Sequence, residues 1–325
     1  MISVDRDILI NIGGFLVAYN LLGRAYAALS AKYSTTYKEL SPFDKTGWTG
    51  RLVSLTHAPI AVALAWRCLR DYECWTCAAT LIHAHDAKGV FALAHTGGYL
   101  LHDFVDLLIN GRKHKKYDGG PLVFLHHVAA ICSYCIVASY RKCTLLYVIW
   151  ILCELSTPFL NGIWFFSKMK LKPQRTACGL MLFLSYVPTR IYASPATAAA
   201  LYAARDDVRE LPAFLVGFLL AMLAFATVMN YFWFYKISLG IMKALGLGAT
   251  AEDVKAAYGG KAIVTPHKYV DPPAEYITIW REDRSGISYV EDPEARGLRY
   301  VVGEDGKVQT IHAGGPAIQL VEGCL

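Results

Sequence analysis

Two neighbouring apolar stretches between Val90 and Ala138 contain His95, His102, Asp103, Asp106, His126 and His127. An ionisable side chain is costly inside a bilayer, so its presence there points to a site rather than to packing. His95, Tyr99, His102 and Asp106 follow an i, i+4, i+7, i+11 pattern and share one face of a helix. Asp103 lies on the flank of that face. The His126–His127 pair enters the next helix after a basic turn, with its two rings about 100° apart. Imidazoles beside carboxylates can move protons, hold a metal ion or form a hydrogen-bonded polar core. Spacing leaves all three open. A di-iron hydroxylase would need several H-x-x-H-H-type clusters, and the chain has one His pair, so no such metal centre is expected.

Helical rise gives the depth of these groups. At about 1.5 Å per residue, His102 lies about 12 Å and Asp106 about 6 Å from Asn110, while His126 and His127 lie about 8–9 Å inside Pro121. His57, six residues into an earlier apolar run, falls near the same level. Glu154 lies near the middle of a later run with Asn161 on the same face, and Arg190 stands in the run after that. His102, Asp106, His126, His127 and His57 are expected to converge in one half of the membrane, with Glu154 near its middle and Arg190 nearer the opposite side. His83 and His85, in a polar connector, are expected to be solvated.

The elements that must position these residues are membrane spans. The chain has 325 residues, 55% of them hydrophobic, and a mean hydropathy of +0.33. Runs of about 20 apolar residues mark spans, and seven are predicted, at 8–28, 51–69, 89–110, 121–139, 143–166, 176–195 and 212–236. The first has acidic flanks and no small-residue cleavage site, so it reads as a true span rather than a signal peptide. Alternate connectors carry 14 basic residues against 8 in the others, which puts the N-terminus outside or lumenal and the C-terminus in the cytosol. Pro158 and Pro188 fall inside the fifth and sixth spans and predict kinks facing the bundle interior.

Three regions follow: a first span and connector (1–45), a six-helix membrane domain (46–244) and a polar tail (245–325). The formal charge of +6 divides unevenly, with 24 basic and 14 acidic side chains in 1–244 and 8 and 12 in the tail. Anionic headgroups account for the basic part, and no basic stripe interleaved with aromatics suggests nucleic acid. The tail reads as short strands near 276–280, 287–290, 298–302 and 308–311, with a turn at Gly303–Gly306. Cys74 and Cys77 form a lone C-x-x-C, read as small buried residues for want of a second pair.

Four separated motifs carry a family resemblance. They are Trp48-x-x-Arg51-x-x-Ser54-x-x-His57, Gly98–Tyr99 with Asp103 and Asp106, His126–His127, and the run from Glu154 to Asn161. In this order, over about residues 45–240, they resemble the TLC (TRAM–Lag–CLN) domain. The resemblance implies an all-α, multi-pass TLC-like bundle of about seven helices, joined here to a small β-containing tail. It also implies lipid metabolism in the endoplasmic reticulum or another endomembrane. Ceramide synthases share the domain, and in them a double His and intramembrane Asp residues go with acyl transfer from acyl-CoA to a sphingoid amine. Here His102–Asp103 and Asp106 precede the double His, and no homeobox-like insert is present. The chain therefore resembles the TLC-domain-containing branch more closely than the synthases.

On the acyltransferase reading, His126 or His127 is base or nucleophile and Asp103 or Asp106 orients it. His57, Tyr99, His102, Glu154, Asn161 and Arg190 line the substrate cavity. Acyl-CoA is the co-substrate, reaching the site past the basic 112–116 segment, and no resident cofactor is expected. Two other readings stand beside it: a non-catalytic lipid-binding regulator of membrane composition, and a structural subunit that docks on other membrane proteins through the tail.

Overall fold

The computed structural model describes residues 6–74, 76–114 and 120–244, and the strand segments 262–266, 275–282, 288–291, 298–302 and 308–312. Two units separate at Met242: Met1–Ile241 and Met242–Leu325. The first unit is helical. Helix α1 spans Arg6–Tyr33, and a short α2 (Thr35–Glu39) leads to α3 (Pro42–Leu69). Helix α4 (Ala78–His83) precedes α5 (Ala87–His114), which is followed by α6 (Gly120–Tyr140), α7 (Thr144–Ile151) and α8 (Thr157–Lys168). The rest are α9 (Lys172–Tyr186), α10 (Ala193–Ala203), α11 (Arg205–Arg209) and α12 (Ala213–Ala244).

Among the described residues, five helical segments are long and apolar enough to cross a membrane: Arg6–Tyr33, Pro42–Leu69, Leu122–Tyr140, Thr144–Lys168 and Ala213–Met242. The predicted spans at 89–110 and 176–195 are absent from that set. Helix α5 carries His95, His102, Asp103 and Asp106, which lower its apolarity. The 172–203 passage is interrupted between α9 and α10. The chain is an integral membrane protein with an all-α membrane part.

Local chemistry sets the boundaries. Ser41 caps α3, its Oγ accepting from the Asp44 amide at 3.1 Å, and Pro42 sits where a missing N–H costs nothing. Between α6 and α7 the connector is only Arg141–Cys143, with Arg141 and Cys143 at φ of 55° and 60°. This left-handed pair of residues reverses the chain. The Cys143 amide then donates to the Ile82 carbonyl at 2.8 Å, anchoring the turn on α4. Nearby, Lys142 Nζ meets His83 Nδ1 at 2.8 Å and His83 Nε2 meets Asp207 at 2.8 Å. His85 bonds Thr144 at 2.7 Å. His83 is exposed, as expected of a solvated residue, and His85 is half-buried; both also clamp connectors together. Cys74 and Cys77 are joined by a disulfide on the α3–α4 connector. This corrects their reading as small buried residues: a connector outside the apolar core holds them, where two thiols three positions apart can close on each other.

Helices α1 and α5 approach closely at Gly98. A Cβ there would lie 2.4 Å from Phe15 Cβ and 2.9 Å from the Ile12 carbonyl, so only glycine permits this contact. The main core gathers around it, with Ile8, Ile12, Tyr19, Val53, Leu93 and Leu145 all buried. At the opposite end, Trp48 and Phe165 meet edge to face at 4.7 Å, and Lys168 pairs with Asp44 at 3.3 Å. In the second unit five strands, β1 (Ala262–Pro266), β2 (Glu275–Glu282), β3 (Ser288–Glu291), β4 (Leu298–Val302) and β5 (Val308–His312), run antiparallel in sequence order.

Candidate functional site

The polar residues of the membrane part divide into three groups. The first is a buried ring cluster. Tyr19 places its hydroxyl 2.6 Å from His95 Nε2 and 3.2 Å from His57 Nδ1. The His57 ring stacks on Tyr99 at 3.9 Å and on His95 at 5.0 Å, and His102 stacks on Tyr19 at 6.3 Å. Helices α1, α3 and α5 each contribute. His57 Nε2, His95 Nδ1 and His102 Nδ1 are buried without a hydrogen-bond partner among the described residues. No group of three or more His, Cys, Asp or Glu side chains among those residues has a metal-holding arrangement.

The second group joins α5 to α6. His127 Nε2 lies 2.8 Å from Asp103 Oδ2, and its Nδ1 lies 2.6 Å from the Val123 carbonyl one turn back. A carbonyl only accepts, so Nδ1 carries a proton. Nε2 and the Asp103 carboxyl then share the remaining hydrogen bond. Both ring nitrogens are committed, and His127 has none left for a ligand. Asp106 is apart from this pair, accepting from Asn110 Nδ2 at 2.8 Å. Asn161 also turns elsewhere, donating to Ser54 Oγ at 2.9 Å between α8 and α3.

The third group borders a cavity of about 110 Å³ among α6, α7, α10 and α12. Its wall is mostly apolar, with Leu146, Leu219 and Met222 among its residues. Into it come His126 from α6, Glu154 from a 3₁₀ turn (Leu152–Ser156) and Arg190 from a π-helical segment (Val187–Ile191). His126 makes no hydrogen bond with a described residue, and its ring meets Trp233 edge to face at 5.9 Å. No ion pair joins Glu154 and Arg190 among the described residues; Glu154 Oε2 accepts from the Thr157 hydroxyl at 2.7 Å.

The two irregular segments explain how this group is held. Pro158 has no N–H for the Glu154 carbonyl, and the Thr157 amide takes that carbonyl instead. The shift releases the Cys153 carbonyl, which accepts from Arg190 Nη2 at 3.1 Å. Arg190 Nε donates to Ser156 Oγ at 3.1 Å, and the Cys153 thiol donates to the Thr189 carbonyl at 2.9 Å. The π segment follows from Pro188, with the Tyr192 amide reaching back five residues to Val187. Such breaks are tolerated at membrane depth where neighbouring protein groups take up the backbone. Each break is cross-braced by the other, and between them they present the acid and the guanidinium.

The predicted site residues therefore fall into separate sets. His57, Tyr99 and His102 join one cluster, His127 and Asp103 pair, and His126, Glu154 and Arg190 share the cavity. Tyr19, Tyr134, Tyr147 and Asn230 were not among the expected site residues, yet Tyr19 bridges two imidazoles and the others line the cavity. Asn230, 2% exposed in an apolar helix, is the one whose polarity could have marked it.

The family model for the TLC domain matches residues 47–239. TLC domain-containing protein 4 A of Dictyostelium discoideum is 25% identical over 244 residues, covering 73% of this chain and 91% of that one. TLC domain-containing protein 4-A of Xenopus laevis is 28% identical over 259 residues, 74% of this chain and 94% of the relative. The Xenopus tropicalis TLC domain-containing protein 4 is 28% identical over 230 residues, 66% and 82% of the two chains. No solved structure matches the chain.

Proposed function

Because this chain belongs to the TLC domain family, we propose that it is a lipid-handling membrane protein whose α6–α12 cavity holds a lipid with an acyl chain. One observation carries the reading: three separate helical passages bring His126, Glu154 and Arg190 to one mostly apolar cavity. Apolar walls with a few convergent polar groups are the usual form of a small-molecule site. The acyl chain lies against α12, and the head meets the polar rim. Lipids extracted from the purified wild-type protein and from Arg190→Ala, with both confirmed to be folded, test it. A lipid enriched in the wild type and depleted in the variant is expected. Equal bulk lipid in both overturns it.

A second reading is favoured by His126 alone, whose ring nitrogens are uncommitted among the described residues. In it His126 takes the proton from a lipid amine or hydroxyl as that group attacks the acyl-CoA thioester. A C–N or C–O bond forms, the C–S bond breaks, and the proton passes to the departing thiolate. Acyl-CoA tracing on His126→Ala and His127→Ala separately tests it. Loss of transfer in His126→Ala with folding retained is expected, and unchanged transfer there overturns it.

The seven-pass arrangement is part of the same proposal, with the N-terminus outside or lumenal, the C-terminus cytosolic and the 245–325 tail a small sheet-containing appendage. Supporting it, the connectors near 83, 142 and 207 bond one another at one end. The disulfide at that end suits an oxidising compartment. An endomembrane address is the family's.

A further inference from the structure

A second depression, of about 330 Å³, lies between α3 and the 3₁₀ turn. On one wall are Ala58, Val62 and Trp66 with Pro59 and Ala63, two adjacent rows of α3 at helical spacing. Leu155 and Pro158 form the other wall. Trp66 is 57% and Leu155 48% exposed, so the groove opens outward from helices that belong to the membrane-crossing set. Its occupant comes from the bilayer. Among the described residues that line the groove Glu154 is the one with a charge, and it also lines the cavity described above. This carboxylate stands in the wall common to both spaces. Its Oε2 accepts from Thr157, and Oε1 takes no hydrogen bond from a described residue. The segment that carries it is a 3₁₀ turn, whose i→i+3 hydrogen bonds have poorer geometry than those of an α-helix.

We infer that the α3–3₁₀ groove is the lateral port through which a long-chain lipid with a hydrogen-bond-donating head, amine or hydroxyl, reaches the cavity, with Glu154 receiving the head and the chain lying along Ala58, Val62 and Trp66. An acceptor head such as a fatty carboxylate is disfavoured, since the groove lining offers it a carboxylate and no cation. The inference rests on the lipid-handling reading above but is separable from it.

The test uses the full chain in phosphatidylcholine vesicles with photoactivatable, mid-chain diazirine analogues of hexadecylamine, hexadecanol and hexadecanoate. Cross-linked peptides are mapped by mass spectrometry. The amine or the alcohol, or both, should label α3 around residues 58–66 and the segment near Leu155, and hexadecanoate should not. Ala63→Trp, at an exposed position, fills the groove and should abolish that label. Glu154→Gln keeps an acceptor and loses the charge, so amine labelling should fall about tenfold while hexadecanol labelling holds. The wild-type map alone decides if either variant fails to fold. Labelling confined to α6 and α12 and insensitive to Ala63→Trp overturns the port and leaves the cavity reading intact. Equal labelling by hexadecanoate overturns the donor-head assignment, and no specific label on either surface overturns both readings.

Discussion

His126 and His127 are neighbours in sequence and have different work. His127 is held at 2.6 and 2.8 Å by a carbonyl and a carboxyl, whereas His126 faces a cavity. Asp103→Ala leaves the His127 ring with a buried, unmatched nitrogen, and should cost about 1–3 kcal/mol, read as a lowered midpoint in detergent thermal unfolding. His126→Ala should leave that midpoint nearly unchanged and deplete the bound lipid. Tyr19→Phe deletes the hydroxyl between two buried imidazoles and is expected to cost about 1–3 kcal/mol by the same measurement. The residue types were legible in the sequence, because intramembrane histidines and carboxylates are scarce. Their grouping was not: helical periodicity fixes which residues share a face, but the partner opposite that face is set by packing. Tyr19 carries no charge and gave no signal, although it holds the His57–His95 cluster together.

Elements were easier to read than contacts. Pro158 and Pro188 predicted breaks, and the structure turns each into a device: a 3₁₀ turn and a π segment that brace each other through Arg190. Replacing Pro158 by Ala should let α7 and α8 continue as one regular helix and reclaim the Cys153 carbonyl. Arg190 then loses a partner, and lipid retention should fall even though helix content, read by circular dichroism, rises. Gly98 was legible as part of a motif but not as a close approach. Gly98→Ala puts a methyl 2.4 Å from Phe15 Cβ, α1 must move, and a loss of about 1–3 kcal/mol is expected from such overpacking. Five segments stand out by apolarity; α5 does not, because it carries His95, His102, Asp103 and Asp106.

At the scale of the molecule, one end is fastened by polar clamps and the other by aromatic rings. On the clamped end the Lys88 ammonium bonds the Asp71 carboxylate and holds that carboxyl below its ordinary value. A depressed folded-state value means that the contribution is present above about pH 3.9 and is lost as pH falls through the folded value. Lys88→Ala should flatten that acid limb of the melting profile, and salt should weaken it in the wild type. The family match covers 47–239 and stops short of α1, yet α1 supplies Tyr19 and packs against Gly98. Tyr19 leaves the ribosome 38 residues before His57 and 76 residues before His95, its two hydrogen-bond partners. At about 5–20 residues per second, the longer interval is about 4–15 s of waiting. Until His95 and Gly98 are made, α1 lacks one hydrogen-bond partner and the surface that its tight-packing face meets. A defect in α1 should therefore slow closure of the buried core that it shares with α5.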